Sequence, residues 1–251
     1  MDVPTEVAEL EDLMADGWWP LEHAWMGGWL LRASQGFTGR GNSALAIGDP
    51  GRALDEAIHA VERFYDERGL PARFALPTPQ VGQISGGLAD VLAERGYDVV
   101  TPTAVMTAPS EVLAGHVLTG TDDVLLAAEP DRGWLSVYRY RGRELEPVAL
   151  DLLVSAPHQV FASVLRDGGT VAVGRLAISR GWGGITAMEV AEPHRGNGYA
   201  RTVLAALSTY AAGHGAPNLY LQVSADNAPA RRLYGSAGFA DHHGYHYRVL
   251  S

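Results

Sequence analysis

Apolar positions in the first 110 residues follow an ordered series of periods. Val7, Leu10 and Leu13–Met14 recur at helical spacing within Glu6 to Ala15, predicting a short amphipathic helix. Leu21–Trp25 and Trp29–Ala33 flank Gly27–Gly28 and read as a hairpin, with Asn42–Ile47 as a third strand. Ala53–Arg68 reads as a helix that stops at Gly69 with Pro71 beyond it. A strand (Arg73–Leu76), a helix (Leu88–Arg95, ended by Gly96) and a strand (Val99–Thr107) follow.

The rest of the chain repeats this order. Val124–Ala128 predicts a strand, and Arg132–Tyr140 and Pro147–Val154 predict helices. Val160–Arg166, Thr170–Ser179 and Gly184–Val190 predict an antiparallel run. A helix Tyr199–Ala212, a strand Leu219–Val223, a helix Ala228–Ala237 and a strand Tyr245–Leu250 complete the series. Asp49–Pro50 matches Glu192–Pro193, Gly69–Leu70–Pro71 matches Gly215–Ala216–Pro217, and Arg95–Gly96–Tyr97 matches Ala237–Gly238–Phe239. The expectation is an α/β (α+β) fold of two tandem lobes, residues 1–112 and 113–251, with mixed, mostly antiparallel sheets flanked by helices. Whether the lobes share one sheet stays open.

Composition narrows the functional classes. The 251 residues carry 19 Lys+Arg against 29 Asp+Glu, a net charge of −10. That opposes a nucleic-acid partner or an anionic membrane surface, both of which need basic surface. Without cysteine there is no disulfide, thiolate metal site or cysteine nucleophile. The acidic N-terminus lacks the apolar core of a signal peptide, and no apolar run reaches spanning length, so the expected location is cytoplasmic.

Candidate chemistry concentrates at Val190-Ala-Glu-Pro-His-Arg-Gly-Asn-Gly-Tyr-Ala200, where a strand ends and a long helix opens. Gly196 and Gly198 allow a tight turn whose N–H groups converge, and the helix N-terminus adds positive potential suited to phosphate oxygens. A P-loop would need Gly-Lys-Ser/Thr, and the dinucleotide fingerprint would need glycine where Arg201 stands. Downstream lies Leu221-Gln-Val-Ser-Ala-Asp-Asn-Ala-Pro-Ala-Arg-Arg-Leu-Tyr-Gly-Ser-Ala-Gly-Phe239. Here Asn227 is placed to cap a helix, and Tyr234 follows seven residues later on the same face. By themselves Asn227 reads equally as a plain cap and Tyr234 as a half-buried core residue.

The Arg195-x-x-Gly198-x-Ala200 loop resembles the pyrophosphate loop of the GNAT acetyltransferases. The Asn227…Leu233-Tyr234…Gly238-Phe239 segment resembles the second signature of that superfamily, so the likeness covers about the last 130 residues. The resemblance implies a soluble N-acetyltransferase with acetyl-CoA as donor, no metal, and direct attack of an amine on the thioester. It implies that the strands ending at Val190 and Val223 splay to admit the pantetheine arm, paired with the backbone of Val190. Arg195, Gly196, Asn197, Gly198, Tyr199 and Ala200 would then hold the pyrophosphate, with Asn227 near the sulfur. Tyr234 falls at the family's general-acid position, where an ordinary pKa of roughly 10 keeps it protonated. Glu189 is the candidate base, directly or through ordered water, or else a solvent-facing strand carboxylate.

The acceptor side of such a fold is built from its first helices. Arg132-Gly-Trp-Leu-Ser-Val-Tyr-Arg-Tyr-Arg-Gly-Arg143 lies there, offering Trp134, Tyr138, Arg139 and Arg141 for a carboxylate-bearing amino acid. The alternative is a solvated face paired with Glu144 and Glu146. The whole chain also resembles a two-lobed bacterial GNAT group through Gly36-Phe-Thr-Gly-Arg-Gly-Asn-Ser43, Phe64-Tyr65, Leu221-Gln-Val and His246-Tyr-Arg. Some members of that group are N-acetylglutamate synthases, which makes glutamate a candidate acceptor. A cationic antibiotic or polyamine is the competing acceptor, and a catalytically silent acyl-CoA-binding module the competing class. Gly48-Asp-Pro-Gly-Arg-Ala53 stands where the first lobe would carry its phosphate loop, without the Gly-x-Gly turn, so that lobe is expected to be degenerate and to bind no CoA. Trp18, Trp19 and Trp25 are core anchors or acceptor contacts, and His242, His243 and His246 surface or substrate-lining groups. The molecule is expected to be a monomer or homodimer.

Overall fold

The computed structural model describes residues 6–78, 87–114, 123–140 and 142–250. The first half runs α1 (Val7–Asp16), β1 (Glu22–Met26), β2 (Trp29–Ala33), β3 (Ala44–Leu45), α2 (Leu54–Asp66), β4 (Arg73–Thr78), α3 (Leu88–Glu94) and β5 (Asp98–Pro109). A short helix α4 (Glu111–Ala114) precedes the second half. That half runs β6 (Asp123–Ala127), α5 (Arg132–Val137), α6 (Pro147–Leu153), β7 (Gln159–Arg166), β8 (Gly169–Ser179), β9 (Trp182–Val190), α7 (Tyr199–Gly213), β10 (Asn218–Ser224), α8 (Ala228–Ser236) and β11 (Ala240–Val249). Between β9 and α7 the chain makes one 3-10 turn, Glu192–His194.

The described strands form one continuous sheet in the order β1-β2-β3-β4-β11-β5-β10-β9-β8-β7-β6. Only β3–β4 and β9–β10 pair in parallel. Outward from the central β11–β5 pair, the two halves match: antiparallel β4–β11 answers β10–β5, and β2–β3 answers β8–β9. Each half therefore donates its last long strand to the other, since β5 completes the edge of β10 and β11 completes the edge of β4. The same hydrogen bonds close matching helices. Leu70 N–H reaches Tyr65 O as Ala216 N–H reaches Ala211 O, and Tyr97 N–H reaches Leu92 O as Phe239 N–H reaches Tyr234 O. Gly69, Gly96, Gly215 and Gly238 supply the left-handed backbone these helix ends need.

Alternating side chains divide the core between the faces. Phe74 and Leu76 of β4 pack under Ile58, Val61 and Leu92 of α2 and α3, and Leu219 and Leu221 of β10 pack under Val203 and Leu207 of α7. On the opposite face Leu10 and Met14 of α1 cover Val105, Tyr220 and Tyr245, while α5 and α6 cover Phe161 and Val173. Arg175 of β8, fully buried, ties this second face together. It donates to Leu153 O (2.6 Å), Gly17 O (2.9 Å) and Gln159 Oε1 (2.9 Å), and lies over the Trp18 ring. Burial lowers its pKa to about 10, so the three acceptors hold a cation that has lost most of its water.

Candidate active site

Strands β9 and β10 pair only as far as Ile185 and Leu221, and beyond that point they separate. The exposure of β9 follows: Gly183–Ile185 are buried, whereas Thr186–Val190 are half-buried. Ala187 adopts φ 52° where the β8–β9 register shifts, a bulge that bends β9 away from its partner. The opening thus comes from a sheet defect at one residue.

At its far end β9 runs into the glycine loop. Gly196 and Gly198 adopt φ of 80° and 86°, with nothing within 4 Å of a would-be Cβ at either one. Gly198 starts α7 with no side-chain cap, so the first N–H groups of this 15-residue helix face the concavity. The Asn197 amide donates instead to His194 O and Arg195 O and braces the turn. Arg195 is exposed; its Nε donates to Val190 O (3.2 Å) and its Nη2 to Glu189 Oε1 (3.1 Å). Tyr199 and Ala200 open the helix itself. An uncapped helix N-terminus behind two left-handed glycines fits a pyrophosphate, which needs N–H donors and room for backbone approach.

Across the opening, Asn227 caps α8 through Oδ1, which accepts from Ala230 N–H at 3.2 Å, and Pro229 occupies the first turn. Tyr234, 9% exposed, belongs to the core cluster that includes Leu221 and against which Val190 packs, and no described residue is hydrogen-bonded to its hydroxyl. Burial pushes its pKa up to about 12, above the ordinary value expected from sequence. At that pKa the hydroxyl keeps its proton and can donate a hydrogen bond, while full transfer to a thiolate is uphill.

The acceptor-side residues fall differently from the sequence expectation. Helix α5 ends at Val137, and Tyr138 is already extended, so the arginine-rich run is not a single helix face. Trp134 is 1% exposed, with Nε1 donating to Gly174 O, and stands in the core. Tyr138 is buried, its pKa raised to about 12 by burial, with Arg40 and Glu189 near enough to act on it. Arg139 turns back onto Leu135 O and toward Glu144, and Arg141 lies outside the described residues. Glu189 pairs with Arg195 (3.1 Å) and lies near enough to Tyr138 to act on it electrostatically. Of the histidines, His243 is buried against Glu11 (Nε2 to Oε1, 2.9 Å) and touches His242 (2.8 Å). Among the described residues no group of three His, Cys, Asp or Glu could hold a metal.

The structure instead opens a cleft of about 190 Å³ between the halves. Its lining includes Thr38, Gly39 and Arg40, Thr103, Gln222 and Ser224, and Tyr140, Tyr245 and Tyr247. Gln222 and Ser224 belong to the part of β10 beyond its last pairing with β9, so the cleft meets the strand opening. Arg40 Nη1 donates to Gln222 Oε1 (2.8 Å), while Gln222 Oε1 also accepts from Tyr245 Oη (3.3 Å). The loop before Arg40 is wired by Asn42. Its Oδ1 accepts from Ser34 and Gly36 N–H, and its Nδ2 donates to Phe37 and Thr38 carbonyls. Sequence alone missed Arg40 and Gln222 as cleft residues; the signal was the glycine-flanked Gly39-Arg40-Gly41, present in the quoted segment but without a role.

The comparisons agree with this geometry. The model of the family "Probable histone acetyltransferase Rv0428c C-terminal" matches residues 4–248. "Uncharacterized N-acetyltransferase YobR" of Bacillus subtilis is 29% identical over 97% of this chain and 98% of its own length. "Probable histone acetyltransferase Rv0428c" of Mycobacterium tuberculosis is 31% identical over 99% of this chain and 76% of its own. Among solved structures, a GCN5-related N-acetyltransferase from Kribbella flavida superposes with TM-score 0.73 at 15% identity, over 98% of this chain and 96% of that one. A tandem GNAT protein from the clavulanic acid biosynthesis pathway superposes with TM-score 0.62 at 13% identity, over 80% and 71%. The chain therefore belongs to the Rv0428c C-terminal family and is an acyltransferase of the GNAT superfamily.

Proposed function

We propose that the second half carries the acetyl group of acetyl-CoA directly to the amine of a small amino-acid acceptor, glutamate among the candidates. One observation carries this reading: the β9–β10 opening has an uncapped glycine loop at one end and a polar cleft on its acceptor side. In this reading Gly196, Gly198 and the first N–H groups of α7 hold the pyrophosphate, with Arg195 adding charge. The amine lone pair attacks the thioester carbonyl, the C–S bond breaks, and the thiolate leaves. Tyr234 donates a hydrogen bond to the developing thiolate, and Asn227 lies close to the same arm. The amine proton passes toward Glu189, directly or through water, once Arg195 turns to the phosphates. The first half binds no CoA and supplies a wall of the acceptor site.

A protein lysine is the second reading, favoured by the name of the M. tuberculosis relative. Thiol release from acetyl-CoA distinguishes the two, and a chain without cysteine adds no thiol background. Saturable release with amino acids, and none with a histone-tail peptide or polyamine, is the expected result. Release with the peptide alone would move the acceptor to protein, and release with a polyamine alone would move it to cationic amines. Silence with every amine would reject acyl transfer to them.

A further inference from the structure

We infer that Arg40 and Arg73, both from the first half, form a carboxylate clamp in the cleft between the halves, so that the acceptor is an amine bearing an acid group. This rests on the acyl-transfer reading for the word acceptor, but the clamp itself rests on the cleft. The first observation is one of charge. The chain has ten more acidic than basic side chains, yet among the described residues the ionisable groups other than tyrosines are Arg40 in this cleft and Arg73 in an adjoining cavity of about 160 Å³ that shares Thr38, Gly39, Thr101, Tyr140 and Tyr247 with it. Among the described residues neither guanidinium has a carboxylate within salt-bridge distance, whereas Arg68, Arg95, Arg180, Arg195 and Arg231 each have one.

The second observation is unmet hydrogen-bonding capacity. Arg73 Nε is buried with no partner, and its Nη1 makes only a long contact to Asn42 O at 3.4 Å. A buried donor left unpaired is costly, and an incoming carboxylate oxygen would satisfy it. Arg40 spends one N–H on Gln222 and lies 4.7 Å over the Trp18 ring, which fixes its plane and leaves other donors of the fork available. The Asn42-wired loop holds Arg40 from one side, and Arg73 follows from β4 along the same wall past Thr38, Gly39 and Tyr247. Gly39 matters here because a Cβ would come within 2.9 Å of the Tyr247 ring and crowd the passage.

One carboxylate approaches from behind. Glu11 lines the narrow inner end beyond Gln222 and Tyr245, where only about 10 Å³ is open. Its Oε1 is taken by His243, and Arg32 shares that end. The wide part of the cleft therefore presents positive charge and hydroxyls, a lining for an acid group.

Calorimetric titration of the full chain with glutarate, and separately with 1,5-diaminopentane, tests the clamp without requiring turnover. Glutarate is expected to bind and the diamine not. Arg40→Gln and Arg73→Gln are each expected to weaken glutarate about tenfold or more, the usual size of a lost charged hydrogen bond. Arg40→Lys, which retains charge and bulk, guards against misfolding and should fall between wild type and Arg40→Gln. Absence of glutarate binding, binding indifferent to both Gln variants, or preference for the diamine overturns the clamp. Thiol release separates the two claims. Turnover of amines with and without a carboxylate at equal KM leaves acyl transfer standing and removes the clamp. Glutarate binding with silence toward every amine does the reverse.

Discussion

The two halves follow one plan, and they differ at the loop that opens the long helix of each. From Pro193 to the start of α7 the chain has five residues, two of them left-handed glycines over an open concavity. From Pro50 to the start of α2 it has three. In that shorter loop the Asp49 carboxylate accepts from Gly51 N–H at 2.7 Å, placing negative charge on a donor that a phosphate would use. The hairpin turn at Gly27–Gly28 also lies against it, with Gly28 N–H bonded to Asp49 O and the Trp29 indole to Gly48 O. The position answering Tyr234 is Leu92, buried and without a proton to give. One scaffold yields an open glycine loop or a sealed turn, depending on two residues of loop length and one aspartate.

The largest test of this comparison is to separate the halves. Residues 113–251 expressed alone lack β5 and leave the edge of β10 open. We expect aggregation or no cooperative unfolding transition, read by circular dichroism and size-exclusion chromatography; a monomeric, acetyl-CoA-binding fragment would show the lobes to be independent. Next in size, Tyr234→Phe is expected to lower kcat about a hundredfold, with the KM for acetyl-CoA unchanged. Turnover equal to wild type would place the hydrogen-bond donor to the thiolate elsewhere. Gly198→Ala, which forces a Cβ into left-handed backbone, should raise the KM for acetyl-CoA roughly tenfold. The matched change Gly51→Ala should cost about 1–2 kcal/mol in denaturant stability and leave that KM alone. The smallest effect concerns His246, whose pKa is lowered by burial and by neighbouring Arg248. Below its ordinary value near 6.5 the unfolded chain takes the proton first, so stability falls as pH drops through that region. His246→Gln should make the fall shallower in urea midpoints measured between pH 7.5 and 5.

Much of this was legible because short-range rules governed it. Gly69, Gly96, Gly215 and Gly238 each end a helix through local backbone geometry, and the loop at Gly196–Gly198 announces itself by composition. The exchange of β5 and β11 was not legible, because either pairing buries the same apolar faces and pairing partners leave no local mark. The arginine run at Arg132–Arg143 misled for a related reason. Density of charge along a chain says nothing of direction, and the early end of α5 turns Tyr138 inward and Arg139 back on its own helix. Arg40 was hidden because its neighbours Gln222 and Trp18 come from segments 182 and 22 residues away.

The exchanged strands also set an order of events at the ribosome. β5 is made long before β10 exists, and β4 waits for β11, the last of the described strands in chain order. Neither half can close its sheet during synthesis of the first, so the nascent chain carries unpaired strand edges until β11 has been made. Such a topology, rich in distant contacts, is expected to fold slowly and to depend on protection of those edges. The arrangement that joins the two halves thereby delays the completion of either until β11 has been made.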